Sequence, residues 1–425
     1  MRVKYLQCVR CGRKYPAGEI RYRCECGGSL EIVYDYASLK GKLDWGTLRQ
    51  RTFCHWRYRE FFPPLKRASI VTMAEGGTPL IRSRRIGAEI GRSDLLFKLE
   101  GLNPTGSFKD RGSTIEISEA YEYLCEQGDG CRNEIVCAST GNMGASVAAY
   151  CARAGIACTI YVPHDTARIK LLQMMAHGAR IVRVKGDYTR AMLTAKDEHE
   201  RHGKYLAGDY PYRSEGEKSV GLEVADLAGD VDYIACPIGN GTLIHGIWKG
   251  LKELKALGLL KRLPRLIGAQ AQGCNTVVRA FEEGTDRIAP VEPRTAMDAV
   301  ACGDPLDGAW ALRALRESCG WGVAVSDEEA AVARDRLAKR EGIFAELSGA
   351  LSLAGLLKAC EAGIVDKDAK AVAIVTGHGL KEPETFEAEM KLIRELEVSE
   401  AGKRPQRIKT TEGTEGTEDA QRIIR

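Results

Sequence analysis

From Ile70 onward, short apolar runs rich in β-branched residues alternate with patterns of helical period. Residues 134–139 (EIVCAS), 156–162, 181–184, 232–237, 266–269 and 371–376 read as strands. Residues 144–154, 168–177, 189–201 and 243–257 read as helices, the last with apolar residues at 243, 244, 247, 248, 251 and 254. Strands that are apolar throughout need cover on both faces, which a parallel sheet flanked by helices provides. The expected class is therefore α/β with parallel sheets. Ligands in such folds collect outside the carboxyl ends of the strands. The turns that follow strands are thus where chemistry is to be sought.

At 425 residues the chain is too long for one ordinary domain. Its 62 basic and 58 acidic side chains leave a net charge of +4, which makes no electrostatic case for nucleic acid or a membrane surface. The sequence has no uninterrupted apolar run of transmembrane length, and the start MRVKYLQC lacks the apolar core of a signal peptide. Fifteen cysteines form an odd and dispersed set, unlike a small disulfide scaffold. A cytoplasmic, reducing location is expected.

The first 35 residues stand apart. Cys8-x-x-Cys11 and Cys24-x-Cys26 lie among Gly12, Gly27 and Gly28. Two cysteine pairs on glycine turns can aim four thiolates at one tetrahedral zinc. The second pair is one residue tighter than an ordinary ribbon knuckle, so a relic knuckle of reduced thiols without metal is the competing interpretation.

Four turns carry the chemistry. Asn103 to Gly112 (NPTGSFKDRG) sets Lys109 in a hydroxyl- and glycine-rich turn before a helix expected over 113–123. A lone lysine in a turn is ordinarily a solvated charge, but an aldehyde cofactor needs such an amine to form a Schiff base. Ser139-Thr140-Gly141-Asn142 follows a strand and opens a helix, suiting a carboxylate or phosphate as well as a plain helix cap. Pro237 to Leu243 (PIGNGTL) is a second strand-to-helix turn, where glycines let backbone N–H groups approach an anion. It has neither the Walker nor the Rossmann spacing. Thr376-Gly377-His378-Gly379 ends the last strand with a hydroxyl that can bond a pyridine nitrogen without protonating it. His199 and His202 are spaced three apart, not four as in a zincin, and no Gly-x-Ser-x-Gly elbow is present.

Taken in order, EGGTPL at 75–80, NPTGSFKDRG at 103–112, CASTGN at 137–142, PYRSEGEKS at 211–219, PIGNG at 237–241 and TGHGLKEPE at 376–384 resemble the threonine synthases, over about residues 1–395. The N-terminal cysteine module and the segment LEIVYDY at 30–36 are similar too. The resemblance implies a fold-type-II, tryptophan synthase β-like enzyme that binds pyridoxal phosphate (PLP) between two α/β domains, in a homodimer. It implies Lys109 as the Schiff-base lysine, with Phe108 packing near the ring and Asn142 at the ring hydroxyl oxygen. Gly239, Asn240, Gly241, Thr242 and Leu243 would cradle the cofactor phosphate, and Thr376 would bond the ring nitrogen. The family reaction turns O-phospho-L-homoserine and water into L-threonine and phosphate. For that substrate, Ser139 and Thr140 would face the α-carboxylate, and Thr105, Ser107, Arg213 and Lys218 the phosphate.

Three departures bear on the substrate: Met143-Gly144 where the family commonly has Thr-Ser, GNGTL in the phosphate turn, and Phe344 to Ala350, which lacks the proline of the usual Glu-Pro. The competing functions are β-replacement on O-phosphoserine, as in a cysteate or cysteine synthase, and a non-catalytic zinc-ribbon protein with a degenerate enzyme body. The expected division is a zinc-ribbon-like module at 1–35, a large domain at 36–115 and 211–398, and a small domain at 116–210. A disordered tail is expected over 399–425, where Thr-Glu-Gly repeats replace the apolar pattern.

Overall fold

Three sheets organise the residues described by the computed structural model, which are 3–126, 134–166, 168–186, 188–208 and 211–386. The expected tail at 399–425 lies outside them. The first sheet is antiparallel, in the order β2-β1-β3, from β1 (Val3–Cys8), β2 (Lys14–Pro16) and β3 (Leu30–Tyr34). Leu30, Ile32 and Tyr34 of β3 point inward at period two, as a strand with one covered face requires.

The later strands are β4 (Leu80–Arg82), β5 (Leu95–Leu99), β6 (Glu134–Ala138), β7 (Ala157–Pro163), β8 (Arg180–Val184), β9 (Tyr205–Ala207), β10 (Tyr233–Pro237), β11 (Arg265–Ala271), β12 (Trp321–Val325) and β13 (Ala371–Val375). A six-stranded sheet runs β12-β11-β10-β13-β5-β4, parallel except for β4 against β5. A four-stranded parallel sheet runs β8-β7-β6-β9 and draws all its strands from 134–207. The parallel α/β class is as the alternation predicts. All residues of β10 and β13 are buried, consistent with their central places.

Helices cover the sheets through the apolar spacing seen in the sequence. Thr242–Ala256 buries Leu243, Ile244, Ile247, Trp248, Leu251 and Leu254, each contributing about 1.5–3 kcal/mol. Lys109–Glu126 crosses the expected domain boundary at 115/116. Beneath it lies a fully buried ionic layer: Arg111 pairs with Glu100 at 2.6 Å and Glu223 at 2.7 Å, and Lys98 of β5 with Glu223 at 2.5 Å. Glu100 and Glu223 are held below the ordinary carboxylate range: burial pushes them up, and the adjacent cations outweigh it. The chain up to Lys381 forms one compact unit. In the second unit, the described residues include a 3-10 turn at Pro383–Phe386. Among the described residues no helix is long and apolar enough to cross a membrane.

Candidate active site

β10, β13 and β5 are neighbours, so the turns carrying Gly239, Thr376 and Lys109 leave the same end of three adjacent parallel strands. Backbone bonds join the last two. Phe108 N–H donates to the Thr376 carbonyl at 3.0 Å, His378 N–H to the Gly106 carbonyl at 2.9 Å, and Ser107 bridges Gly377.

Lys109 is the first residue of helix Lys109–Glu126, four positions earlier than the helix start expected from the sequence. Asp110 explains the early start. Its buried carboxylate accepts from Thr105 N–H at 2.7 Å, Thr105 Oγ1 at 2.6 Å and Ser146 Oγ at 2.6 Å, folding the turn back onto the helix. Burial holds the Asp110 carboxyl above its usual pKa. Lys109 Nζ lies 4.3 Å from the centroid of the Phe108 ring. Ser107 Oγ is fully buried without a hydrogen-bond partner.

In the turn after β10, Gly241 has φ +103, and a Cβ there would stand 2.6 Å from the Asp307 carbonyl oxygen. Only glycine allows that approach. Gly241 is also the N-cap of helix Thr242–Ala256, whose first N–H groups have no acceptor within the helix. The Thr242 hydroxyl donates to Asp307 at 3.0 Å and the Leu243 side chain is buried in the core, which leaves their backbones as the groups that can meet an anion.

The turn after β6 enters from the other parallel sheet. Asn142 opens helix Asn142–Ala154, and its Nδ2 donates to the buried Glu346 at 2.9 Å. Ser139 Oγ accepts from Gly144 N–H at 2.9 Å, a capping role, while Thr140 is half-buried beside it.

Three expected phosphate partners are engaged with groups of the protein itself. Arg213 is buried under the lysine helix, on Glu116 at 2.9 Å and the Lys109 carbonyl at 3.1 Å. Lys218 is fully buried on Glu215 at 2.6 Å and Glu253 at 2.9 Å. Thr105 donates its hydroxyl to Asp110. Within the segment 211–219, a Cβ on Gly216 would collide with the Arg111 carbonyl, so the glycine lets two helices touch.

Two site residues escaped the sequence reading. Glu346, N-cap of helix Leu347–Glu361, is buried, which raises its carboxyl, while Asn142, Lys381 and Lys109 pull it down. Lys381 donates to Gln173 Oε1 at 2.5 Å, and its Cε lies 3.2 Å from where a Cβ on Gly106 would stand. Burial lowers its ammonium pKa, and Glu346 and Asp110 oppose that. Lys381 lies inside the TGHGLKEPE motif, six residues past the end of β13, and Glu346 in the segment 344–350, but neither position by itself marks a site residue.

An open cavity of about 1090 Å³ lies elsewhere, at the amino ends of β6 and β7. In its lining, Arg180 pairs with Glu134 at 2.9 Å and Lys204 with Glu198 at 2.5 Å.

Residues 71–377 match the family described as pyridoxal-phosphate dependent enzyme. The chain is 42% identical over 383 residues to the threonine synthase of Methanocaldococcus jannaschii, covering 89% of this chain and 93% of the relative. It is 39% identical over 387 residues to that of Methanosarcina acetivorans, covering 90% and 93%. This chain belongs to the threonine synthase family of pyridoxal-phosphate-dependent enzymes. The solved structures of Escherichia coli diaminopropionate ammonia lyase (TM-score 0.65, 19% identity, 76% of this chain and 90% of that one) and maize serine racemase (TM-score 0.62, 22% identity, 74% and 92%) share its fold. The fold is accordingly fold-type II, as the sequence resemblance implied.

The donor set fits the family's cofactor. A lysine amine, a glycine turn at a helix N-terminus and a buried threonine follow adjacent strands, and the orphaned Ser107 hydroxyl lies two residues before the lysine. The N-terminal thiols also converge. The Sγ atoms of Cys8, Cys11, Cys24 and Cys26 all lie within 4.8 Å of one another, with Cys8–Cys26 and Cys11–Cys24 each at 3.5 Å. Tetrahedral bonds of about 2.3 Å to one zinc would set such sulfurs about 3.8 Å apart.

Proposed function

We propose that this chain binds pyridoxal phosphate through Lys109 and converts O-phospho-L-homoserine and water into L-threonine and phosphate. The observation that carries the reading is the set of turns at the ends of β10, β13 and β5, in a chain 42% identical to a threonine synthase. Bound there, the cofactor would supply an aldehyde reactive toward amines and an electron-withdrawing ring.

The protein's own groups do the rest. The Lys109 amine would remove protons from Cα and Cβ and return protons to Cγ and Cα. The Cγ–O bond breaks and phosphate leaves; water then adds its oxygen at Cβ. The N–H groups from Gly239 to Leu243 hold the cofactor phosphate, with Asn240 supporting the turn. Thr376 bonds the ring nitrogen and keeps it neutral. Asn142, steadied by Glu346, meets the ring hydroxyl oxygen. Ser139, Thr140 and the amides near Asn142 receive the α-carboxylate, while Ser107 and Lys381 receive the substrate phosphate.

The same reading includes one structural zinc on Cys8, Cys11, Cys24 and Cys26, a homodimer and a cytoplasmic location. It divides the chain into a small domain around the four-stranded sheet and a large one around the six-stranded sheet. Product analysis tests the function. Threonine and phosphate should appear from phosphohomoserine alone; no threonine, with product from phosphoserine plus sulfite or sulfide, would overturn it.

A further inference from the structure

One buried carboxylate joins the cysteine module to the turn after β10. Asp307 Oδ2 accepts from Thr242 Oγ1 at 3.0 Å and from Asn240 Nδ2 at 3.4 Å. Its other oxygen, Oδ1, accepts from Arg23 Nη1 at 2.8 Å and Ser29 Oγ at 2.7 Å. The same two side chains donate to the Leu306 carbonyl, at 3.1 Å and 3.0 Å. On the other side of this loop, Leu306 N–H donates to Asn240 Oδ1 at 2.7 Å and Asp307 N–H to the Asn240 carbonyl at 3.2 Å. Arg23 directly precedes Cys24 and Ser29 directly follows Gly28, so both stand on the second cysteine knuckle.

Charge makes this contact more than packing. The Asp307 side chain is 1% exposed and lies against a turn read as the seat of a phosphate dianion. An unpaired buried carboxylate there would repel the ligand; Arg23 is the cation paired with it. The knuckle thus supplies the charge that makes the neighbouring turn tolerant of an anion, and the hydrogen bonds that fix its shape.

We propose that Arg23 and Ser29 are positioning residues for the cofactor phosphate, acting through Asp307, so that the cysteine module sets how tightly residues 239–243 hold it. The proposal rests on the reading that this turn binds pyridoxal phosphate. It assigns the module a task in cofactor retention, with no module residue touching the cofactor.

The test titrates full-length protein, freed of cofactor, with pyridoxal phosphate and with pyridoxal, which lacks the phosphate. Arg23→Gln should weaken pyridoxal phosphate binding by about tenfold or more, because it strands a buried carboxylate beside the dianion. Pyridoxal binding should be unchanged. Arg23→Lys, which keeps the charge, should weaken pyridoxal phosphate binding less. The double variant Arg23→Gln with Asp307→Asn should bind pyridoxal phosphate more tightly than Arg23→Gln alone, since the repelling charge is gone. If Arg23→Gln fails to melt cooperatively, the ratio of the two affinities in Arg23→Lys decides. Equal loss for both ligands, or parent-like affinity in every variant, would overturn the clamp alone. A parent protein that binds no pyridoxal phosphate would overturn the functional reading and the clamp together.

Discussion

Asn142 and Glu346, 204 residues apart, meet through one hydrogen bond of 2.9 Å from Nδ2 to Oε2. The bond joins the turn after β6 to the N-cap of helix Leu347–Glu361, and so links groups contributed by both parallel sheets. Removing the acceptor in Glu346→Ala should lower turnover roughly tenfold at saturating cofactor, as expected for a bond to a charged group of about 1.5–3 kcal/mol. Glu346→Gln keeps an acceptor and should lose less. Steady-state rates with the cofactor absorbance recorded in parallel check this; equal losses would move the role from the bond to the charge.

Lys109 should carry the cofactor. Borohydride reduction of the purified protein, followed by peptide mapping, is expected to fix the cofactor on this residue, and a reduced adduct on a different lysine would refute the assignment. Lys109→Ala should abolish turnover yet still bind some cofactor, because the turn around Gly241 is a separate anchor on another strand.

Lys381 and Lys218 should behave oppositely. Lys381→Ala is expected to raise KM for the phosphorylated substrate about tenfold, through loss of a charge-assisted contact, with little change in melting temperature. Lys218→Ala leaves Glu215 and Glu253 short of a buried cation and should cost about 3–5 kcal/mol of stability. Kinetics and urea unfolding on both variants separate the roles. A KM effect at Lys218 without loss of stability would return it to the substrate.

What could be read from the sequence, and what could not, follows from the range of the forces involved. The strands at 134–138 and 371–375 and the helix at 242–256 declare themselves by local periodicity, and the six motifs lie along the chain in family order. β5 did not, because Lys98 interrupts its apolar run; the partner that makes its burial possible, Glu223, is 125 residues away. The internal partners of Arg213 and Lys218 are hidden in the sequence for the same reason. A cation in a motif looks like a phosphate ligand until Glu116, Glu215 and Glu253 are seen to enclose it. Glu346 stood in the sequence only beside a departure from the family pattern, the missing proline at 347, since its meaning depends on Asn142.

The four clustered thiols should hold about one zinc per chain, as closed four-ligand sites do. Elemental analysis of protein prepared without chelators checks the stoichiometry, and a value well under one would refute it. Replacing Cys24 and Cys26 by serine should release the metal and lower the melting temperature. The clamp through Asp307 adds that cofactor affinity should fall in the same variant, with turnover recovering as cofactor is added.

Glu119 offers a pH signature independent of catalysis. It lies on helix Lys109–Glu126 and accepts from Tyr205 Oη at 2.8 Å. Burial raises its carboxyl to about 7, with the Tyr205 bond opposing and the charge of Glu116 adding to the rise. An unfolded glutamate titrates near about 4.3. Between those values the folded protein keeps a proton that the unfolded chain has released. This contribution to stability is therefore complete below about pH 4, is lost as pH rises through the window, and changes no further above about pH 7. Glu119→Gln keeps an acceptor for Tyr205 and carries no charge at any pH. It should match the parent near pH 4 and exceed it near pH 8 by on the order of 3 kcal/mol. Urea unfolding at both pH values reads the difference directly, and a variant advantage that is the same at both would rule out a raised pKa at Glu119.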